Sequence, residues 1–302
     1  MKDTVHKIKR LKEEKNAVIM AHYYVEDEVQ EIADFVGDSY YLSHMATKTD
    51  SDVIVICGVS FMGESAKILN PDKKVLIPEA EADCPMAHMT AAEKIEQVRK
   101  KYEDIAVVCY VNSTAEIKAK SDVCVTSSNA LKIVSALPNK NIFFVPDKNL
   151  AHFIAGQLPE KNFIFNDGFC YVHDEITRQQ VLEEKKRHPE APVLVHPESR
   201  PEVVDIADYV GSTSGIIDFA TNSASDEFII LTEAGVLYEL KKKNPGKRFF
   251  TVGSGQICRG MKKITLESVL NALEEDTWEV DMESQLIRDA KAPMERMLEM
   301  SE

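Results

Sequence analysis

The chain has 302 residues, 28% charged and 44% hydrophobic, a length and composition ordinary for a globular protein of one to three domains. Its formal net charge of −14 argues against a nucleic-acid partner, which would need a basic surface. No apolar run reaches the roughly 18–20 residues of a membrane span, and the charged start, MKDTVHKIKRLKEEK, is unlike a signal peptide. We therefore expect a cytoplasmic protein without membrane contact.

The predicted elements occur three times along the chain. Each copy opens with a β-branched apolar run and continues through a helix-like stretch to a turn. A second apolar run then leads into a helix, and a short strand ends near a cysteine. The opening runs are NAVIMAHYY (16–24), DIAVVCYVN (104–112) and APVLVHPES (191–199), and the closing segments are KKVLIPEAEADC, KNFIFNDGFC and KRFFTVGSGQIC.

Three sets of landmarks share one spacing of 85 to 88 residues, which does not arise by chance. One set ends the opening strands, one lies in the turns, and one closes the copies. The sets are His22, Tyr110 and His196; Ser39, Ser127 and Ser212; and Cys84, Cys170 and Cys258. The spacing predicts three domains, 1–88, 89–174 and 175–264, with a C-terminal helical segment, 265–302, packed on the first.

Short apolar runs that alternate with amphipathic helices predict parallel strands joined by crossover helices. The fold class is therefore α/β, as three homologous α/β/α sandwich domains with small parallel sheets around a pseudo-threefold axis. Function in parallel sheets lies at the carboxyl ends of the strands, and all three sets of landmarks fall there. We expect them to face one central cavity.

The six cysteines form no CxxC pair, and a disulfide framework is not expected in a reducing compartment. Cys57, Cys109 and Cys124 lie in strand-like runs and are interpreted as buried apolar residues. The closing set, one thiol per copy, is instead interpreted as a set of metal ligands. Three thiolates suit a 4Fe-4S cluster with one open iron, or a zinc ion with an open position, and we favour the cluster.

Residues two apart on a strand face the same side, so each opening strand offers a pair of polar side chains to the cavity. Histidine, tyrosine and glutamate are usual carriers of proton transfer, although a lone histidine is often only structural. The turn serines precede helices, where they either cap the helix or help to bind an anion. The strand-end pairs are His22 with Tyr24, Tyr110 with Asn112, and His196 with Glu198.

The chain resembles the quinolinate synthase family over nearly its whole length. The resemblance rests on many colinear stretches, among them AHYY, VQEIADFVGDS, FMGESAKILNP, YVNSTAEIKAKSDV, TSSNA, PDKNLA, GFC, VHPES, GSTSG and MKKITLE. It implies one 4Fe-4S cluster per chain and an enzyme that condenses iminoaspartate with dihydroxyacetone phosphate. Quinolinate, phosphate and two waters would be the products, and the open iron would act as a Lewis acid.

The resemblance also implies roles for individual residues. Cluster ligands would be Cys84, Cys170 and Cys258, and the catalytic set would be His22, Tyr24, Tyr110, His196 and Glu198. Substrate would contact His22, Ser39, Tyr110, Asn112, Ser127, His173, His196, Glu198, Ser212 and Thr213. The protein would be a monomer or homodimer, and the resemblance leaves open a transient contact with the enzyme that supplies iminoaspartate.

Four alternatives stay open at this point. The reductive dehydratase of isoprenoid synthesis and the diphthamide-synthesis enzymes also combine three units with three cysteines, but neither carries HPES or TSSNA in these positions. A three-cysteine zinc hydrolase would hold zinc and show no visible absorption. A non-catalytic iron–sulfur sensor would bind a cluster and turn nothing over.

Overall fold

The computed structural model describes residues 2–253 and 255–302. In this part of the chain the strands form three four-stranded sheets, and every pairing is parallel. The first sheet has β1 (Ala17–His22), β2 (Phe35–Gly37), β3 (Val53–Cys57) and β4 (Lys74–Leu76). The second has β5 (Ile105–Tyr110), β6 (Val123–Val125), β7 (Asn141–Val145) and β8 (Asn162–Phe165). The third has β9 (Val193–Val195), β10 (Tyr209–Val210), β11 (Glu227–Leu231) and β12 (Arg248–Phe250).

Helices connect the strands and flank the sheets. The first sheet is accompanied by α1 (Lys2–Glu14), α2 (Asp27–Ile32), α3 (Ser39–Lys48) and α4 (Ser60–Leu69). The second is accompanied by α5 (Ala92–Lys101), α6 (Ala115–Ala119), α7 (Ala130–Ala136), α8 (Lys148–Gln157) and α9 (Tyr171–Asp174). The third is accompanied by α10 (Arg178–Arg187), α11 (Pro201–Val204), α12 (Thr213–Asn222) and α13 (Val236–Lys243), and the chain continues with α14 (Leu266–Glu275) and α15 (Ser284–Ser301).

The three sheets have the same topology. In each, the first strand lies between the second and the third, and the fourth pairs with the third at the edge. Every residue of β1 and β5 is buried, as expected for central strands covered by helices on both faces. The predicted fold class, α/β with three units built on small parallel sheets, is confirmed.

One aspartate per unit fixes the position of the second strand against the first. Asp34 accepts a hydrogen bond from the Ile19 N–H at 2.9 Å, and its own N–H donates to the Ile19 carbonyl at 2.8 Å. Asp122 and Asp208 make the same pair of bonds with the first strands of their own units. Each aspartate thus joins the short second strand to the first, which places the turn that follows at the carboxyl end of the sheet.

The first two units share one continuous apolar core, which also includes residues of α14 and α15. The third unit is packed by two smaller clusters, one on each side of its sheet. The segment 265–302 forms two helices. Helix α14 packs on α1 and β3 of the first unit, whereas α15 contacts α4 of the first unit and α6, β6 and α7 of the second.

The domain bounds given above stay a prediction, because no boundary is tested by these contacts. Among the described residues, no helix combines the length and the apolar character that crossing a membrane requires.

Candidate active site

A cavity lies where the three units meet, with about 660 Å³ of space not filled by protein atoms, counted out to its open mouth. All three units contribute to its wall. Thirteen of the fourteen predicted site residues line it: His22, Tyr24, Ser39, Cys84, Tyr110, Asn112, Ser127, Cys170, His173, His196, Glu198, Thr213 and Cys258. The exception is Ser212.

The central strands deliver the polar side chains of the cavity. His22 and Tyr110 are the last residues of β1 and β5, and His196 directly follows β9. These are the equivalent strand ends of three parallel sheets, so their side chains meet where the sheets converge. Asn112 extends the wall beyond β5, and its Oδ1 is buried without a hydrogen-bond partner among the described residues.

The turn serines differ in what their hydroxyls do. The Ser212 hydroxyl accepts the Gly215 N–H at 3.2 Å and caps helix α12. The Ser127 hydroxyl lies 3.2 Å from Nε2 of His196 and does face the cavity. At α3 the cap is the Asp38 carboxylate, which accepts the Tyr41 N–H at 2.9 Å. A substrate-binding role for these serines stays a prediction.

The three thiols of the closing set enter the cavity from loops after the last strand of each unit. Cys84 precedes a 3₁₀ turn (Pro85–His88), Cys170 precedes α9, and Cys258 precedes a second 3₁₀ turn (Met261–Lys263). Burial, and then the nearby Cys258 thiol, raises the pKa of Cys84 to about 12. Burial also raises the pKa values of the other two thiols, which favours their protonated form.

Two buried carboxylates hold two of these cysteine loops. Asp147, after β7, accepts the Cys170 N–H at 3.1 Å and the Leu150 N–H at 2.7 Å. Glu233, at the equivalent position after β11, accepts the Cys258 N–H at 3.0 Å. Both side chains are fully buried. The loops are therefore fixed by the ends of the third strands, and this fixes where the thiols lie.

Glu198 is the most constrained acid of the cavity. Its Oε2 lies 2.7 Å from Nδ1 of His173 and 3.6 Å from Nδ1 of His196, and the two imidazole rings stack with centroids 4.5 Å apart. Burial alone would raise the pKa of Glu198, but the two imidazoles outweigh it and lower that pKa. The carboxylate is thus ionised at neutral pH, and its other oxygen, Oε1, has no hydrogen-bond partner in the described part of the chain.

The other two histidines of the cavity wall are kept neutral. Burial lowers the pKa of His22 to about 3, against the opposing attraction of Glu198. Burial and then repulsion from His173 lower the pKa of His196 to about 3 as well. Both rings can therefore accept hydrogen bonds at pH 7. Burial, and then the Glu198 carboxylate, holds the pKa of Tyr110 well above its ordinary value.

A chain of hydroxyl groups leads from Tyr24 to His173. The Tyr24 hydroxyl lies 2.7 Å from the Thr213 hydroxyl and 2.7 Å from that of Thr232, which lies 2.9 Å from Nε2 of His173. Thr232 was not among the sequence-predicted residues, and neither were Asp147 and Glu233. In the sequence, only their position just after the third strand of a copy, taken from the repeat, would have indicated them.

Two donor sets in this cavity suit a metal. The three cysteines supply the thiols that an iron–sulfur cluster needs, and buried thiols from three units at one cavity fit that group. In addition, ligand atoms of Cys170, His173 and Glu198 lie within 4.8 Å of one another, an arrangement that would suit a single ion. The two sets share Cys170, so a cluster and a single ion would exclude each other.

The fold and the cavity define a class: an α/β protein of three repeated units whose thiols and acid–base side chains converge on one internal site. A family model described as "Quinolinate synthetase A protein" (NadA) matches residues 6–299. The chain belongs to this family, which implies an iron–sulfur cofactor.

Curated relatives agree with the family match. A protein named quinolinate synthase from Caldicellulosiruptor saccharolyticus is 56% identical over 301 residues, 98% of this chain and 99% of the relative. One from Clostridioides difficile is 50% identical and covers 100% of this chain and 99% of the relative. "Quinolinate synthase 2" from Methanosarcina acetivorans is 49% identical, over 97% of this chain and 94% of the relative.

Proposed function

We propose that this chain is a quinolinate synthase. It condenses iminoaspartate with dihydroxyacetone phosphate to give quinolinate, phosphate and two waters. The observation that carries the proposal is the convergence of three repeat-equivalent thiols on a cavity that also holds a buried carboxylate between two imidazoles. The family match supports the same assignment and leaves no reason to retain the reductive dehydratase or the diphthamide-synthesis enzymes.

The cofactor of the proposal is one 4Fe-4S cluster per chain, held by Cys84, Cys170 and Cys258. When bound, such a cluster with three protein ligands offers one iron as a Lewis acid for substrate oxygens. Asp147 and Glu233 support this ligand set because each binds the backbone N–H of one cysteine. These bonds fix the backbone at two of the three cysteines, as hydrogen bonds around metal ligands commonly do.

The acid–base part of the proposal assigns Glu198 as the base. One of its oxygens is held by His173 at 2.7 Å, and the other is free to accept a proton from a substrate carbon. His22 and His196 are neutral and can take up protons, and the Tyr24 hydroxyl can donate one to a leaving hydroxyl group. Asn112 and Ser127 would orient the substrate, with Ser39, Ser212 and Thr213 near its carboxylates and phosphate.

The setting of the enzyme also belongs to the proposal. We infer a cytoplasmic monomer or homodimer without nucleic-acid or membrane partners. A transient contact with the enzyme that supplies iminoaspartate would suit an unstable substrate.

The proposal is tested by iron and sulfide analysis of protein purified without oxygen, followed by a quinolinate assay with both substrates. About four iron and four sulfide per chain, together with quinolinate formation, support it. A bound cluster without quinolinate formation would favour the non-catalytic iron–sulfur sensor. One zinc per chain and no visible absorption would favour the single-ion set of Cys170, His173 and Glu198 instead.

A further inference from the structure

The Thr232 hydroxyl joins residues from all three units. Thr232 follows β11 of the third unit and is fully buried. Its Oγ1 lies 2.7 Å from the Tyr24 hydroxyl of the first unit and 2.9 Å from Nε2 of His173 in the second. A fully buried hydroxyl has no access to bulk water, so the two site residues are its hydrogen-bond partners.

The repeat shows that this hydroxyl is particular to one unit. The positions equivalent to Thr232 are Gly58 after β3 and Pro146 after β7, at the same spacing as the other landmarks. Neither glycine nor proline offers a side-chain hydrogen-bonding group. The third unit alone therefore provides a hydroxyl at this strand end, where the other two units have no side-chain donor or acceptor.

The hydrogen bonds on either side of Thr232 depend on one another. The Thr232 hydroxyl has one hydrogen, so it cannot donate to Tyr24 and to His173 at the same time. When it donates to Nε2 of His173, its oxygen accepts from the Tyr24 hydroxyl, and Tyr24 then accepts from Thr213, 2.7 Å away. On the other side of the ring, Nδ1 of His173 lies 2.7 Å from Oε2 of Glu198 and 3.3 Å from the Cys170 sulfur. The Thr232 hydroxyl thus links the orientation of Tyr24 to that of the His173 ring.

We propose that Thr232 is a positioning residue that holds the His173 ring and couples the Tyr24 hydroxyl to the His173–Glu198 pair. The inference rests on the proposed function, because it links two groups assigned there to proton transfer.

Two variants separate the hydroxyl from the shape of the side chain. Thr232→Val keeps the branched shape and removes the hydroxyl, and Thr232→Ser keeps the hydroxyl and removes a methyl group. We expect the valine variant to retain its iron, to lose roughly 10- to 100-fold in kcat with a smaller change in KM, and the serine variant to stay within about threefold of wild type. Equal activity of the valine variant and wild type, or equal losses in both folded variants, would overturn the inference.

A second measurement does not depend on turnover. In cluster-free protein labelled with ¹⁵N in the histidine rings, the long-range proton–nitrogen spectrum reports the hydrogen bonding of each ring nitrogen, and His173→Gln identifies the signals of His173. We expect the Nε2 signal of His173 to be the same in wild type and in the serine variant and to shift in the valine variant. An unchanged Nε2 signal in the valine variant would refute the role of Thr232. If wild type made no quinolinate, the proposed function would fail while this spectrum still decided the inference.

Discussion

Replacing His22 should remove part of the acid sensitivity of the folded protein. His22 ends β1 in the cavity wall, and burial lowers its pKa from 6.5 to about 3. In the unfolded chain the same residue titrates near its ordinary value. Between these two pKa values the unfolded state binds a proton that the folded state does not, so stability falls as the pH falls through 6.5.

The size of the effect follows from the two pKa values. At pH 7 this residue changes the free energy of unfolding by only about 0.2 kcal/mol, because both states are mostly neutral. At pH 5 the unfolded state is almost fully protonated at this position, and the loss is about 2 kcal/mol. Any folded-state pKa below about 4 gives nearly the same loss, so the prediction depends little on how low that pKa is.

The assay is urea unfolding of cluster-free wild type and His22→Asn at pH 7 and pH 5, followed by circular dichroism. Asparagine keeps a polar side chain that can accept the Tyr24 N–H, which donates to His22 Nδ1 at 3.2 Å. We expect the drop in unfolding free energy from pH 7 to pH 5 to be about 2 kcal/mol smaller in the variant. An identical drop in wild type and His22→Asn would refute the reasoning.

Three further predictions concern the metal and the base. Cys170→Ala should abolish the iron and sulfide content of anaerobically purified protein, whereas Cys109→Ala, at a fully buried strand residue, should keep it; the reverse pattern would contradict the ligand set. Glu198→Gln should retain the iron but lose roughly 10²- to 10⁴-fold in quinolinate formation, and near wild-type turnover would exclude it as the base. Asp147→Ala should speed iron loss to a chelator because the Cys170 N–H loses its partner, and a loss rate equal to that of wild type would contradict this.

The repeat made much of the fold and site predictable. Parallel strands follow from short β-branched runs between amphipathic helices, and the carboxyl ends of such strands meet on one side. Once the three copies were aligned, residues at equivalent positions, such as Cys84, Cys170 and Cys258, were expected at one cavity. The structure brings these three thiols to its wall.

The residues that the sequence did not reveal are those whose partners lie in another unit or in the backbone of a loop. Thr232 contacts Tyr24 and His173 from two other units, and no periodic pattern in one copy encodes such a contact. Ser212 shows the converse. Its type and place suited either a helix cap or an anion ligand, and only the local geometry shows that its hydroxyl accepts the Gly215 N–H at 3.2 Å. A substrate-binding role for Ser212 stays a prediction.

Helix α15 restricts the order in which the chain can complete its fold during synthesis. Its buried residues include Met294 and Met297, and the helix contacts α4 of the first unit and α6 and α7 of the second. The ribosome makes these residues only after the whole third unit. The face of the first two units that α15 covers therefore stays exposed until then, although each of these units contains a complete sheet. The third copy must therefore be synthesised before the first two copies can complete their packing.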